Sequence, residues 1–383
     1  MSKSKQKARK HTFRPAHKSV EDLMPYQTGK PIEELAREKG LDRIVKLASN
    51  ENPLGSSPAA KDAVARMLDD LGRYPDGGGF YLKEAISESL DVAEEMIVLG
   101  NGSNEILELL AQLLLADNDE TVYAWPAFIV YRLATMAHGA VGIEVPLDGD
   151  LKHDLPAMAG SITERTKLVF ISNPNNPTGT FVKTGELVNF LDGLPPSVLP
   201  VLDEAYFEYA RDNADFPDGV SLLKEGRNLV VMRTFSKAYG LAGLRVGYAL
   251  MPQQLVQLVN RVRQPFNVNS VAQAAAAAAV SDVDFLEKTL ELNRTEMERL
   301  EVRIRSLGFN TVPSAANFIL IDLAGLPGGE IFEGLQDKGV IVRAMDAYGL
   351  PEYIRVTVGL PEENDFFLKA LAEIKKEKRG NPK

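Results

Sequence analysis

Between Val230 and Tyr248 the chain reads VVMRTFSKAYGLAGLRVGY. An apolar run ends in Thr234, Ser236 and Lys237, and Arg245 follows the lysine at a spacing of eight. A lysine at the end of a buried strand is costly unless it is paired or chemically used. Two hydroxyls and a guanidinium beside it make an anion site. Together they suggest a lysine that carries a phosphorylated cofactor as a Schiff base. Taken alone, Lys237 reads equally well as a surface lysine in a turn.

Two further pieces lie upstream. SNPNNPTG spans Ser172 to Gly179, and LDEAYFEY spans Leu202 to Tyr209. Asp203 ends the apolar run VLPVL, where a carboxylate can hold a protonated nitrogen or simply cap a turn. Tyr206 follows three positions on, either as a donor or as a core tyrosine. Glu204 and Glu208 read as polar neighbours rather than acid or base groups. GNGSNE, from Gly100 to Glu105, opens a helix; its N–H groups and dipole suit a phosphate, although a plain helix cap is the commoner use of such a turn.

With these pieces in this order, the chain resembles the fold-type I pyridoxal 5′-phosphate (PLP) aminotransferases. Among them it is most similar to the histidinol-phosphate aminotransferase family. The resemblance runs from about Tyr26 to the last helix. It implies an α/β fold: a large domain with a mostly parallel seven-stranded sheet, plus a smaller α+β domain. It also assigns roles. Lys237 is the Schiff-base lysine, Asp203 the partner of the pyridine nitrogen, and Tyr206 and Asn176 donors to the phenolic oxygen. Ser103, Asn104, Thr234, Ser236 and Arg245 form the phosphate cup. Phe128 in WPAFIVY stacks on the ring, ahead of its rival Trp125. Arg355 in YIRVTVG binds an α-carboxylate, while Arg343 in VIVRAM and Tyr26 in MPYQTGK take the substrate phosphate. Tyr74 in RYPDG reaches across a homodimer to the other copy's cofactor phosphate.

The implied reaction moves an amino group between L-histidinol phosphate and 2-oxoglutarate, giving glutamate, within histidine biosynthesis. Two positions depart from the family pattern. Ala344 stands where a proline is common, and Trp125-Pro126-Ala127 replaces a polar run. Both lie near the expected substrate pocket, so an aromatic amino acid (or prephenate) aminotransferase of the same fold stays open. So do a phosphoamino-acid decarboxylase and a catalytically silent relative, the last opposed by the intact Lys237, Asp203 and Arg245.

Composition narrows the field. At 383 residues, 45% apolar and 25% charged, the chain has room for two domains and a large core. It has no cysteine, so disulfides, thiolate metal sites and cysteine nucleophiles are excluded. No two of its four histidines have a metal-ligand spacing, and no metal is expected. Net charge is −10, although residues 1–18 carry seven Lys/Arg and no acid. An acidic body argues against nucleic acid as a partner. No run is long and apolar enough to predict a membrane span, and no hydrophobic signal core precedes the body, so a cytoplasmic enzyme is expected.

These residues need a scaffold, and hydrophobic patterning predicts one. Residues 1–20 read as a disordered basic arm, and 21–48 as a segment packing with the small domain. Residues 49–277 read as the large cofactor domain and 278–383 as the small one. Six apolar runs from TVYAW to RVGYALM, with a short strand at Met96–Leu99, predict the large sheet; continuous runs suit strands buried on both faces. Helices are predicted at 31–40, 58–71, 81–90, 127–138, 184–194, 252–263 and 283–307, with one after GNG capped by Ser103 or Asn104. FILIDL, GVIVRAM and YIRVTVG predict the small sheet, and a final helix starts at Glu362.

Overall fold

The computed structural model describes residues 15–23 and 29–380. Seven strands build the large sheet: β1 (Ile97–Gly100), β2 (Glu120–Trp125), β3 (Val141–Pro146), β4 (Thr166–Ser172), β5 (Leu199–Asp203), β6 (Val230–Thr234) and β7 (Gly247–Leu250). Their spatial order is β1-β7-β6-β5-β4-β2-β3. Every pairing is parallel except those of β7, which runs antiparallel to both β1 and β6. The central strands are buried on both faces, as their unbroken Val/Leu/Ile runs require. Alternation sends Val201 and Met232 into one layer and Leu202 and Val231 into the other.

The sheet brings distant residues to one edge. β1, β4, β5 and β6 all end there, as expected where an open α/β sheet binds its ligand. Register does the rest: Gly100 pairs with Gly247, and Gly247 pairs with Thr234. The turn after β1 therefore lies beside the end of β6. A Cβ on Gly247 would sit 2.7 Å from the Ser103 nitrogen, so glycine there permits this approach.

Helices cover both faces. The alanine run becomes the helix Ser270–Ser281, whose Asn269 cap accepts from the Ala272 N–H at 2.8 Å. Its small side chains let it pack closely on the helices Pro58–Met67 and Phe80–Leu90. The next helix, Val283–Ser306, starts after Asp282 and begins the second core. That core lies between this helix, the helix Pro361–Gly380 and a four-stranded antiparallel sheet made of 310–311, 318–322, 343–344 and 353–357. The strand Val45–Lys46 joins it by pairing in parallel with Val340–Ile341. No helix among the described residues is long and apolar enough to cross a membrane.

Two expectations need correction, and one helix was not foreseen. The helix after β1 spans Ser103–Leu114 with Gly102 as its cap, not Ser103 or Asn104. Gly102 has φ +79°, and a Cβ there would collide with the Arg245 guanidinium, so only glycine fits the turn. Residues 15–20 are not a free arm. Lys18–Asp22 form a 3₁₀ turn, His17 Nδ1 meets Asp117 Oδ1 at 2.7 Å, and the Ser19 hydroxyl donates to the Met136 carbonyl at 2.6 Å. The helix Gly328–Asp337 carries no predicted counterpart because two glycines open it.

Candidate active site

At the carboxyl edge of the large sheet, one cavity gathers Ser103, Asn104, Phe128, Asn176, Asp203, Tyr206, Thr234, Ser236, Lys237 and Arg245. These come from six separate stretches of chain. Strand ends supply Asp203 and Thr234, and the loop after β6 supplies Ser236 and Lys237. The helix Ser103–Leu114 aims its first N–H groups at the same space.

The lysine amine is well prepared for chemistry. Lys237 Nζ donates to the Ser49 carbonyl at 3.2 Å and lies 5.8 Å from the Tyr206 ring centroid. Burial pushes its pKa down to about 8; the positive charges of Arg355 and Arg245 push the same way, against Glu51 and Asp203. A neutral amine is therefore accessible just above pH 7.

Asp203 sits at the far end of the cavity and is 4% exposed. It accepts from the Tyr131 hydroxyl at 2.7 Å and from the Ala205 N–H at 3.2 Å. Burial pushes its pKa up to about 6, and these two donors together with Lys237 hold it from rising further. Tyr131, which no motif singled out, is itself held by a stack on Phe170 (centroids 4.9 Å, 6° apart) and an edge contact with Phe128 (5.7 Å, 86°). The same contact orients the Phe128 ring at the cavity wall. Trp125 instead stacks on Tyr348 at 5.7 Å.

Tyr206 is buried, and its pKa is pushed up to about 12, so it keeps its proton near neutrality. Asn50 Nδ2 donates to its oxygen at 2.8 Å. Asn50 is a second residue that sequence reasoning passed over. Its left-handed backbone (φ +55°) is held by Thr357 Oγ1, which accepts from the Asn50 N–H at 2.9 Å. Asn173 and Asn175 shape their loop as expected: Asn173 bonds both backbone groups of Val182, and Asn175 Nδ2 donates to the Pro126 carbonyl at 3.2 Å. Asn176 is left to face the cavity.

Arg355 enters from the small sheet. Its Nη1 donates to Asn176 Oδ1, its Nη2 donates to the Ala48 carbonyl at 2.9 Å, and its guanidinium lies 5.1 Å from the Phe318 ring centroid. Arg343 is its direct register partner across an antiparallel pair, so both arginines lie on one face. Arg343 lines a broad cleft with Ala344, Tyr348, Lys30 and Arg132. Tyr74 is not in the cavity: it is 83% exposed and stacks on Phe266 at 4.9 Å. Tyr26 lies outside the described residues.

This donor set could hold PLP. The cavity has a covalently competent amine, a buried carboxylate for the ring nitrogen and an aromatic wall. At the opposite end it has a helix N-terminus, two hydroxyls and a guanidinium. Arg245 Nη1 approaches Ser236 Oγ at 3.4 Å and donates to the Ala242 carbonyl at 3.1 Å, which aims its fork at that helix end.

Known proteins point the same way. Residues 42–371 match the family described as aminotransferase class I and II. The chain is 52% identical over 361 residues to histidinol-phosphate aminotransferase 2 of Pseudomonas fluorescens (strain Pf0-1), covering 94% of this chain and 97% of the relative. It is 51% identical over 360 residues to the enzyme of the same name from Methylococcus capsulatus (93% and 96% covered). Its fold is similar to the crystal structure of histidinol-phosphate aminotransferase from Sinorhizobium meliloti in complex with pyridoxal-5′-phosphate. That match has a TM-score of 0.87 at 28% identity, covering 96% of this chain and 99% of that one.

Proposed function

The chain belongs to the class I and II aminotransferase family, and we propose that it transfers the amino group between L-histidinol phosphate and 2-oxoglutarate on PLP, in histidine biosynthesis. The observation that carries the substrate is the register of Arg343 with Arg355. One amino donor bears a phosphate and no carboxylate; the other, glutamate, bears two carboxylates. Two adjacent arginines serve both: Arg355 takes glutamate's α-carboxylate, and Arg343 with Tyr26 takes the distal anion of either donor. Close relatives bearing this enzyme name support the same assignment.

PLP, when bound, supplies an electron sink for the bond broken at the substrate carbon. Lys237 Nζ, in the same cavity, would be the base that accepts a proton from the substrate carbon. Asp203 keeps the ring nitrogen protonated through its carboxylate, and Tyr131 holds that carboxylate in place. Tyr206 and Asn176 donate to the phenolic oxygen. Phe128 covers the ring face and excludes water. Ser103, Asn104, Thr234, Ser236 and Arg245 bind the phosphate. In a homodimer, exposed Tyr74 serves the cofactor phosphate of the neighbouring copy. Both substrates are small charged metabolites, which suits a cytoplasmic enzyme.

Arg343→Ala tests the assignment. A charge-assisted contact is worth about 1.5–3 kcal/mol, so kcat/KM for L-histidinol phosphate should fall roughly 10- to 200-fold. Phenylalanine, which lacks the phosphate, should be affected far less. An equal loss for both amines would remove the phosphate role.

A further inference from the structure

Asp203 and Thr234 end neighbouring strands and face the cavity. Their chain neighbours Glu204 and Arg233 therefore point to the opposite face of the sheet. There the two meet in a fully buried ion pair, Glu204 1% exposed and Arg233 3%. Arg233 Nε donates to Glu204 Oε2 at 2.9 Å, and Nη2 reaches the same carboxylate at 2.8 Å. Nη2 also donates to Asp218 Oδ1 at 2.9 Å. Glu204 Oε1 accepts from the Gly219 N–H at 2.7 Å, at the start of the helix Gly219–Lys224, and Asp218 caps that helix through Val220 at 3.1 Å. The guanidinium stacks on Phe207, 3.4 Å from the ring centroid.

None of the proposed chemistry uses this pair. Stability does not account for it well either, because apolar residues of similar volume usually serve a core as well or better. Its position is more telling. The ladder between β5 and β6 ends at Asp203 and Met232, with a last backbone bond from the Glu204 N–H to the Met232 carbonyl at 2.9 Å. The ladder goes no further, and the side-chain pair continues the tie where the backbone pairing stops. Two guanidinium N–H groups converge on Glu204 Oε2 while the Gly219 N–H holds Oε1, which leaves the pair little freedom to move.

We propose that Arg233 and Glu204 are positioning residues, a reverse-face clamp that sets the separation of Asp203 from Thr234 and hence of the ring-nitrogen anchor from the phosphate anchor. The proposal rests on the cavity being the PLP site. Burial drives the Glu204 pKa up to about 7, while Arg233 holds it from rising further; burial also works against charge on Arg233, which Glu204 overrides.

The test compares wild type with Glu204→Gln, Arg233→Met, Arg233→Lys and the Glu204→Gln/Arg233→Met double variant. It measures the PLP dissociation constant of the apoenzyme, the absorbance spectrum of the loaded enzyme, kcat and KM for L-histidinol phosphate, and the apoenzyme Tm. A clamp predicts PLP binding and kcat each weakened roughly 10- to 100-fold, the scale of small misplacements remote from the chemistry. KM should change little, lysine should recover part of the loss, and the double variant should be no worse than the worse single one. PLP affinity and kcat within about twofold of wild type, whatever the change in Tm, would overturn the clamp and leave a purely structural pair. Should Arg233→Met fail to fold, the same-shaped Glu204→Gln decides. Failure of wild type itself to bind PLP would instead reject the cofactor site.

Discussion

Tyr131→Phe removes one oxygen from beneath the cofactor cavity and little else. The ring is fixed by Phe170 and Phe128, so phenylalanine should keep its place. What disappears is a 2.7 Å hydrogen bond to a buried carboxylate, Asp203. Such a bond is worth about 1.5–3 kcal/mol, and one pKa unit corresponds to about 1.36 kcal/mol. Asp203, at about 6 in the intact protein, should therefore rise by roughly one to two units in the variant. At pH 7 wild-type Asp203 is mostly ionised, and the variant's is half-protonated or more. In the proposed role the ionised form holds the pyridine nitrogen, so PLP affinity should be present above this pKa and lost as pH falls through it. Titrating apoenzyme with PLP from pH 5 to 9 reads the effect. The cofactor's own titrations are common to both proteins and cancel in their ratio. Above about pH 9 the lost bond should also cancel, because it is made with and without cofactor. The variant should bind several-fold more weakly near pH 7 and converge on wild type at alkaline pH. A uniform weakening at every pH, or an unmoved midpoint, would refute the linkage of Tyr131 to Asp203.

Other perturbations have equally definite outcomes. Borohydride reduction with PLP present should modify Lys237, with trapping that increases as pH rises through about 8; Lys237→Ala should fold, escape modification and lose turnover. His153 is buried against Asn175 Oδ1 at 3.2 Å, and burial pushes its pKa down from 6.5 to about 4. Its contribution is intact above the unfolded value and lost as pH falls from about 6.5 towards 4, in total about 3 kcal/mol. Denaturant midpoints at pH 7 and 4.5 should therefore fall more steeply for wild type than for His153→Asn; equal slopes would contradict the assignment.

Much of the site was legible because its chemistry sits in contiguous stretches. A lysine, hydroxyls and an arginine within twelve residues, or a carboxylate closing an apolar run, announce themselves. So did the central strands of the large sheet, since strands buried on both faces read as unbroken apolar runs. Tyr131 did not, because its partner lies 72 positions away and its neighbours in FIVYRLA are those of any amphipathic helix. Asn50 meets Tyr206 across 156 positions, and its left-handed backbone leaves no mark in SNEN. Arg233 and Glu204 were hidden for a related reason. Each adjoins a recognised residue, but alternation along the strand turns it to the other face, where only topology can pair the two. The glycine cap at Gly102 was missed because its use depends on Arg245 crossing over it, a long-range contact.

The central claim is amino transfer from L-histidinol phosphate. The most direct measurement is a steady-state panel of amino donors with 2-oxoglutarate as acceptor and PLP-loaded enzyme, following glutamate. L-histidinol phosphate should give the highest kcat/KM, ahead of phenylalanine and tyrosine, and no carbon dioxide should form. A preference for phenylalanine would replace histidinol phosphate with an aromatic amino donor, and release of carbon dioxide without need for the oxo acid would contradict transamination itself.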